Sequence, residues 1–357
     1  MATTDTSIDE QAEWPPAEEQ RVEAELSIGN RLHNWKSVAS FGVAILIFAF
    51  VIYKAGIDPA TLWARIRTIN LGLFVAAFFV YYSTFPLRGY RWKMMIDNAY
   101  RDEDPSSVSH MTVRGLTEII YISWFVNCVV PAKLGDLYRA YLAKLWARVS
   151  WAKTVGTILA ERLLDILVLS FLLALTGFIV FHSRLGQVGV LLILGVGLAV
   201  VGILVLVGMR LFSSHIRRLV PARFAERYVS FEEGTLQSFR RLPLLLGLTA
   251  IIWMLEGGRL QLVFLSLGIH PHITNLPYVP MLFFALGTAV LTTLPITPGG
   301  LGVVEAGLGS LMIYLGIPTA DAAAVVLVDR LLSYYSIAIL GFIVYLVSKR
   351  SHFRAHA

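Results

Sequence analysis

The chain of 357 residues is 56% hydrophobic and only 15% charged, with a mean hydropathy of +0.67. Soluble domains are about 45–50% apolar and about 25% charged, so this composition excludes soluble globular, disordered and fibrous classes. The formal net charge is +6, but residues 1–28 hold eight acids and one base, which leaves 16 acids and 29 bases elsewhere. Because the apolar stretches have the length of helices, we predict an all-α polytopic membrane protein. The excess of bases belongs beside an anionic membrane surface, so we predict that the protein binds no nucleic acid.

In chain order, residues 1–28 predict a disordered, acidic cytoplasmic tail. One transmembrane domain is predicted over 29–348, followed by a cytoplasmic tail at 349–357. An amphipathic stretch, 58–69, is expected in the membrane interface, and 209–242 is expected to form one amphipathic helix on the cytoplasmic surface. Apolar stretches of helical length predict six full spans, at about 37–53, 71–87, 154–181, 188–208, 243–267 and 321–347.

Two further apolar segments, 110–147 and 279–316, are interrupted by proline and glycine. We predict that each is a re-entrant hairpin, although two full crossings in each segment would give the same orientation of the chain. The 209–242 connection carries seven arginines, whereas the 268–278 loop carries neither lysine nor arginine. By the positive-inside rule, both termini and 209–242 are expected in the cytoplasm, in a multi-pass protein of the cell inner (plasma) membrane.

The hairpins carry a repeated motif. Pro131-Ala-Lys-Leu-Gly135 and Pro298-Gly-Gly-Leu-Gly302 share Pro-x-x-Leu-Gly, and each is followed by an acid-Arg-Leu-Leu-polar run. The first run, Glu161-Arg-Leu-Leu-Asp165, begins 30 residues after Pro131, and the second, Asp329-Arg-Leu-Leu-Ser333, begins 31 residues after Pro298. The flanking bases place the two copies in opposite directions across the membrane. Inverted repeats with broken segments are typical of transporters that have a site near the membrane midplane.

Charged residues at membrane depth are functional candidates, because each is costly there unless it is paired or hydrated. Helix N-termini, glycine and basic side chains at the hairpin tips suit a phosphate head group. The predicted head-group site is Lys133, Gly135, Arg139, Gly299, Gly300, Gly302 and Glu305. The predicted charge network is Asp136, Glu161, Arg162, Asp165, Glu256, Arg259, Asp329 and Arg330. The alternative is that the charges only join helices and that the glycines only permit tight turns.

Three of these motifs, Pro131–Arg139, Glu161–Asp165 and Pro298–Glu305, together resemble the membrane domain of the lysylphosphatidylglycerol synthase/flippase family. The resemblance covers about residues 37–348. It implies an integral membrane domain that moves lipids, including aminoacylated phosphatidylglycerol, between leaflets, and related domains accompany polyprenyl-linked glycan assembly. We expect no aminoacyl-transferase domain after residue 348 and no glycosyltransferase domain before residue 37, and therefore no lipid aminoacylation.

The sequence thus predicts a lipid translocase that is not an enzyme and that uses no metal or cofactor. Its substrate is expected to be an anionic phospholipid or a polyprenyl-phosphate-linked lipid. The protein partners considered are a homo-oligomer or a separate lipid-modifying enzyme. One alternative is a membrane glycosyltransferase, or its accessory subunit, in which Asp102 and Asp104 form an Asp-x-Asp pattern that holds a metal-bound sugar phosphate. A structural scaffold is the other.

Overall fold

The computed structural model describes residues 59–103, 108–130, 134–181, 185–293 and 297–355, and within these ranges it is helical without β-strands. This confirms the predicted all-α fold. The acidic tail and the predicted span at 37–53 lie outside the described residues. The helices are α1 (Pro59–Ile66), α2 (Leu71–Ala99), α3 (Val113–Val129), α4 (Gly135–Ala147), α5 (Trp151–Phe181), α6 (Leu185–Leu211), α7 (Ser213–Leu219), α8 (Ala222–Gln237), α9 (Leu242–Ser266), α10 (Tyr278–Thr293), α11 (Val303–Tyr314), α12 (Thr319–Arg330) and α13 (Ser336–Ala355).

Four described helices are long and apolar enough to cross a membrane. They are α2, α5, α9 and the 30-residue helix Thr319–Ser348, in which a π turn at Leu331–Tyr335 joins α12 to α13. Helix α6 matches the span predicted at 188–208, and the short α1 lies within the predicted amphipathic stretch. The polytopic architecture is therefore confirmed.

Two predicted boundaries are wrong. The second span continues from Leu71 to Ala99 instead of ending at residue 87, because Arg88 and Arg91 are buried beside acids of other helices and do not mark the membrane surface. The 209–242 connection is two helices instead of one. The break falls at Val220, whose backbone is extended (φ −71°, ψ 127°), the conformation that a following proline imposes.

The first helices of the two repeats lie side by side in opposite directions. The backbone N–H of Asn70, just before α2, donates to the carbonyl of Ser266 at the end of α9, at 2.7 Å. At the other end of α2, the Asn98 amide donates to the carbonyls of Ser238 and Arg240, just before α9, at 3.1 and 2.6 Å. The two helices are therefore antiparallel along their whole length.

The long helices that close each repeat begin at opposite faces of the molecule. Lys153, at the start of α5, binds Glu103 beyond the end of α2 at 2.5 Å. Asp321, at the start of α12, instead pairs with Arg65, just before α2, at 3.1 Å. These contacts define an Arg240 face, which carries Glu103, Lys153 and Arg240, and an Asp321 face, which carries Arg65 and Asp321. Units α2–α5 and α9–α13 form the predicted inverted repeat.

Each unit contains a hairpin that is too short to cross the membrane. Helices α3 and α4 have 17 and 13 residues, and α10 and α11 have 16 and 12. At 1.5 Å per residue the longest of these is about 25 Å, short of a hydrocarbon core of about 30 Å. The two tips meet at Tyr334, whose hydroxyl donates to the Cys128 carbonyl at 2.8 Å and whose ring lies against Gly299. Both hairpins are therefore re-entrant and enter from opposite faces.

At the Arg240 face, α8 packs closely on α5 through two glycines. A Cβ atom placed on Gly156 would lie 2.2 Å from the Phe231 carbonyl oxygen, and one on Gly234 would lie 2.2 Å from the Lys153 carbonyl oxygen. Both contacts are with backbone, which cannot move aside as a flexible side chain can. The amphipathic connection is thus fixed to the membrane domain by close backbone contact.

We predict that Gly156→Ala lowers the stability of the protein. Forcing an extra methyl group into a packed interface costs about 1–3 kcal/mol, which exceeds the helix-propensity gain of about 1 kcal/mol. Thermal unfolding in detergent should therefore show a lower Tm. The matched control is Gly247→Ala in α9, where a Cβ atom would have no neighbour within 4 Å and the Tm should stay or rise. Equal Tm changes in the two variants would contradict the close packing of α8 on α5.

Candidate functional site

A cavity of about 260 Å³ lies between the two repeat units. At 1.5 Å per residue, each of its four arginines lies within about 10 Å of the centre of its helix. The cavity therefore holds cations at a depth where an unpaired charge is costly. Its charged lining is Arg88, Arg162, Arg259, Arg330, Asp136, Asp165 and Glu256.

Half of the uncharged cavity lining is hydroxyl-bearing or aromatic. Helix α10 and the segment after it contribute Thr288, Thr292, Thr293 and Thr297. These hydroxyls donate to backbone carbonyls, at 3.0 Å for Thr288 and 2.8 Å for Thr297, which leaves their oxygen atoms as acceptors. The cavity thus combines guanidinium donors with neutral oxygen acceptors.

One cluster of ion pairs lies within the first unit. Glu161 accepts a hydrogen bond from Arg91 at 2.9 Å and another from Arg139 at 2.5 Å. Arg91, which is fully buried, also donates to Asp165 at 2.6 Å. Because each of these carboxylates and guanidiniums has a partner, the desolvation of the charges is offset by their mutual attraction.

The second cluster includes the junction between the units. Glu256 on α9 accepts from Arg259, one turn further along the same helix, at 3.1 Å. It also accepts from Arg88 on α2 at 3.2 Å. Arg259 in turn donates to Asp329 on α12. Arg88 and Glu256 therefore form an ion pair that connects the two units at the cavity wall.

The described part of these clusters is electrically balanced. The first unit supplies four arginines and three acids, and the second supplies two arginines and three acids. Among these twelve side chains, the Arg88–Glu256 pair is the one that joins the units. The members are Arg88, Arg91, Arg139, Arg162, Arg259, Arg330, Asp136, Glu161, Asp165, Glu256, Glu305 and Asp329.

The repeat extends to the ion pairs themselves. Arg91 and Glu161 pair across 70 residues of sequence, and Arg259 and Asp329 pair across the same 70 residues in the second unit. In both cases an arginine of the first helix binds the acid of the acid-Arg dipeptide. The two units therefore share a charge architecture as well as a helix order.

The arginine of each dipeptide holds a hairpin. Arg162 pairs at 3.2 Å with Asp136, in the first turn of α4, and Arg330 pairs at 2.8 Å with Glu305, in the first turn of α11. The side chain of Arg162 is 35% exposed, whereas that of Arg330 is 6% exposed. Because the Arg162 pair is longer and more exposed, the first hairpin is held more loosely than the second.

Arg139 lies elsewhere than the sequence predicted. The prediction placed it in a hydrated pathway at the tip, but its side chain is 2% exposed, pairs with Glu161 and stacks over the Trp92 ring at 3.6 Å. Among the described residues, it is absent from the cavity lining. Arg139 therefore belongs to an ion pair behind the cavity wall, where a carboxylate and an aromatic face stabilise its buried charge.

The tip amides that were predicted to face a head group are used within the protein. Gly302 N–H donates to Glu305 at 2.6 Å, Gly300 N–H donates to the Thr297 carbonyl at 3.1 Å, and Gly135 N–H donates to Asn127 at 2.9 Å. Arg330 also donates to the Gly299 and Gly300 carbonyls, at 3.2 and 3.1 Å.

The tip glycines serve conformation and packing. Gly299, Gly300 and Gly302 have φ of 57°, 71° and 81°, a region that side chains disfavour. The space beside Gly299 is filled by Tyr334, whose ring would lie 2.2 Å from a Cβ atom. Tyr334 thus occupies the side of Gly299 where a Cβ atom would stand, while Gly299 itself lines the cavity, and its role in head-group binding stays a prediction. Lys133, the remaining predicted tip cation, lies outside the described residues.

Sequence reasoning missed Arg88 and Arg91 because they were assigned to the end of a span. The sequence signal for them was an imbalance of charge, because the predicted set had more acids than bases. Arg259 lies 70 residues before Asp329 in the second unit, and the residue 70 positions before Glu161 in the first unit is Arg91. Within the repeat, the partner of the first dipeptide could therefore have been located by alignment of the two units.

The acidic run at 102–104 is engaged in surface ion pairs as far as it is described. Both Asp102 carboxylate oxygens accept from Arg240, with one bond at 2.8 Å, and Glu103 binds Lys153. The hydrogen bonds from Arg240 hold the pKa of Asp102 below its usual value. Asp104 lies outside the described residues. Asp102 and Glu103 thus fix the loop after α2 to the start of α9 and to α5.

A family model described as the lysylphosphatidylglycerol synthase TM region matches residues 37–341. This chain belongs to that family. The match covers the first unit, the second unit as far as residue 341, and all twelve charged residues of the clusters. No solved structure matches the chain significantly.

Curated relatives are archaeal. A UPF0104 membrane protein of Methanocaldococcus jannaschii is 34% identical over 235 residues, which are 64% of this chain and 95% of that protein. A UPF0104 membrane protein of Pyrococcus horikoshii is 23% identical over 345 residues, 86% of this chain and 96% of that protein. Glycosyltransferase AglD of Haloferax volcanii is 27% identical over 322 residues, 79% of this chain but 50% of AglD.

We predict that Arg330→Gln and Arg162→Gln differ in their effect on stability. Removing Arg330 leaves Glu305 buried without its partner, which costs about 3–5 kcal/mol. Removing the more exposed Arg162 costs less than about 1 kcal/mol, because water can solvate Asp136. Thermal unfolding in detergent should show a large fall in Tm for Arg330→Gln and a small one for Arg162→Gln. An equally large fall in the Tm of Arg162→Gln would show that Arg162 also serves mainly to hold the helices together.

Proposed function

We propose that this protein moves an anionic lipid, either a phospholipid or a polyprenyl-phosphate-linked lipid, between membrane leaflets. It makes and breaks no covalent bond. The observation that carries the proposal is a mid-depth cavity with two arginines, Arg88 and Arg162, that have donor capacity to spare. Family membership supports an integral membrane domain with this repeat, and the cavity supplies the chemistry for a phosphate.

Arg88 is the first donor. It lines the cavity, lies over the Trp124 ring at 5.0 Å and gives one Nη2–H to Glu256. Among the described residues, its buried Nε–H has no acceptor. A buried donor without an acceptor is destabilising, so a phosphate oxygen in the cavity would gain a strong, charge-assisted hydrogen bond there.

Arg162 is the second donor, and it differs from Arg88 in being partly exposed. Its pairs with Asp136, Asp165 and Glu161 are 3.2, 3.7 and 3.8 Å long, so no single carboxylate holds it closely. A phosphate can compete with such long pairs. The surface that a head group would meet has four arginines and three carboxylates.

The repeat provides a route to each face. The first hairpin enters from the Arg240 face and the second from the Asp321 face, and their tips meet at the cavity. We propose that release of the Arg162–Asp136 pair opens the cavity toward one face and release of the Arg330–Glu305 pair opens it toward the other. The acyl or prenyl chains would remain in the bilayer, while only the head group enters the cavity.

We place the Arg240 face in the cytoplasm of a cell whose plasma membrane holds the protein. Helices α7 and α8 and the turn after them carry six arginines at this face. The loop between α9 and α10, at the Asp321 face, has neither lysine nor arginine. Arg65, the base that opposes this orientation, is paired with Asp321. Both termini would then be cytoplasmic.

We predict that Arg88→Gln and Arg162→Gln each slow the exchange of an anionic lipid by roughly 10–100-fold. One charge-assisted hydrogen bond of about 1.5–3 kcal/mol would be lost from the bound phosphate in each variant. The measurement is dithionite quenching of fluorescent phosphatidylglycerol in proteoliposomes that contain equal amounts of folded protein. Rates equal to wild type in both variants would mean that the head group does not pass through the cavity.

Arg65→Gln is the matched control for this assay. It removes the same side chain and the same charge from a surface pair that is 50% exposed on the arginine. Its exchange rate should stay within about twofold of wild type, because surface ion pairs contribute little. Equal slowing in Arg65→Gln would assign the effect to general charge or folding and not to the cavity.

A second candidate function follows from the similarity to glycosyltransferase AglD. Because the chain spans half of AglD, it could serve as the membrane part of lipid-linked glycan assembly or as an accessory subunit. A transferase would use Asp102, whereas a translocase would not. The observation against this role is that Asp102 is occupied by Arg240.

The two candidates differ in a direct assay. We predict that purified protein transfers no radiolabelled sugar from sugar nucleotides to polyprenyl phosphate, and that Asp102→Ala retains full lipid exchange. Extraction of lipids after incubation with manganese or magnesium checks the first statement. Sugar transfer that Asp102→Ala abolishes would replace the translocase proposal with the glycosyltransferase.

A further inference from the structure

A second cleft, of about 330 Å³, opens at the Arg240 face where α2 ends and α9 begins. It is separate from the cavity between the units, with which it shares no lining residue. We call it the Arg241 cleft, and its lining is Tyr90, Lys93, Met94, Asp97, Asn98, Arg101 and Arg241.

The walls of the Arg241 cleft are fixed by buried hydrogen bonds. The Asn98 side chain is 3% exposed and donates to the carbonyls of Ser238 and Arg240, which fastens the turn before α9 to the end of α2. The Asp102–Arg240 ion pair also joins the residues after α2 to the turn before α9. Arg241 is held there with a left-handed backbone, φ 61°, which a non-glycine residue rarely adopts.

The cleft has an excess of positive charge. Lys93 pairs with Asp97, which is the one acid in the lining of the cleft. Arg101 and Arg241 are exposed, and within the described part of the chain neither forms an ion pair, although Arg101 is near enough to Asp102 to help lower its pKa. The lining therefore presents two guanidinium groups to whatever occupies it, with a net charge of +2.

The depth of the cleft matches the phosphate layer of a bilayer. Helix α2 has 29 residues and is about 43 Å long, so a hydrocarbon core of about 30 Å that is centred on it ends near residue 95. Asp97, Asn98 and Arg101 then lie in the head-group region at the Arg240 face, while Tyr90, which is 46% exposed, lies inside the core.

We propose that the Arg241 cleft binds the phosphate of an anionic phospholipid resident at the Arg240 face. Two guanidiniums in a fixed cleft can bind the phosphate oxygens, while the exposed Tyr90 contacts an acyl chain. Basic clefts between helices at the membrane surface recognise head groups in this way. This site does not depend on transport through the cavity. The same chemistry would also accept free inorganic phosphate, so the experiment separates the two sources.

The test is native mass spectrometry of the full chain in detergent micelles with added phosphatidylglycerol or phosphatidylcholine. Wild type should retain phosphatidylglycerol in preference to phosphatidylcholine. Arg101→Gln with Arg241→Gln should weaken this retention by roughly 30-fold, as expected for the loss of two bases near a lipid phosphate. Both side chains are exposed, so the variant should keep the Tm and elution volume of wild type.

The matched control is Arg210→Gln with Arg218→Gln, which removes two exposed arginines outside the cleft and the same total charge. It should retain phosphatidylglycerol like wild type. Arg162→Gln tests the cavity separately, because lipid that is lost from the cavity would leave the lipid in the Arg241 cleft bound. Equal lipid loss in the cleft variant and the charge-matched control, or no preference over phosphatidylcholine in wild type, would overturn the proposal.

Millimolar inorganic phosphate identifies the source of the ligand. If it displaces phosphatidylglycerol from wild type, the cleft recognises the phosphate group alone. If the lipid stays bound, the acyl chains contribute and an anionic phospholipid is the ligand. Either result supports a phosphate site, provided that the Arg101→Gln, Arg241→Gln variant no longer retains phosphatidylglycerol.

Discussion

Pairing of buried charges is the constraint on which the rest of this molecule depends. Six arginines and six acids lie in a membrane domain where each unpaired charge costs at least about 2.5–3.5 kcal/mol. Their partners come from different helices, so the helices must cross at fixed heights and the hairpins must stop at mid-depth. The cavity forms where this pairing is least complete, around Arg88 and Arg162. The proposed anion site is therefore a consequence of how the fold is held together.

The motif arginines of the two hairpins make different contacts. In the second hairpin, Arg330 binds Glu305 and two tip carbonyls, so backbone groups that the broken helix leaves free are satisfied by protein. In the first, Arg162 makes longer pairs and is partly exposed. One copy of the motif thus holds a buried acid and two backbone carbonyls, while the other has a partly exposed arginine. A symmetric sequence motif does not require symmetric roles.

The sequence predicted the parts of the fold that depend on local signals. Hydropathy located the helices, glycine and proline located the breaks, and arginine counts together with the Pro-x-x-Leu-Gly repeat indicated the inversion. It could not assign Arg88 and Arg91, because a basic run after an apolar stretch has the same pattern at a membrane surface and inside a protein. It also misplaced Arg139, since burial of that side chain depends on Glu161 and Trp92, which lie on other helices. These assignments require the three-dimensional neighbours.

The Arg88–Glu256 pair has a consequence for how such a protein could have arisen. An inverted repeat suggests an ancestor in which two identical halves assembled as an antiparallel dimer. Among the twelve paired residues, the first half supplies one arginine more than its acids and the second half one acid more than its arginines. Two copies of the same half would therefore bury two like charges. After duplication and fusion, each half has become the obligatory counter-ion of the other, which prevents a return to independent subunits.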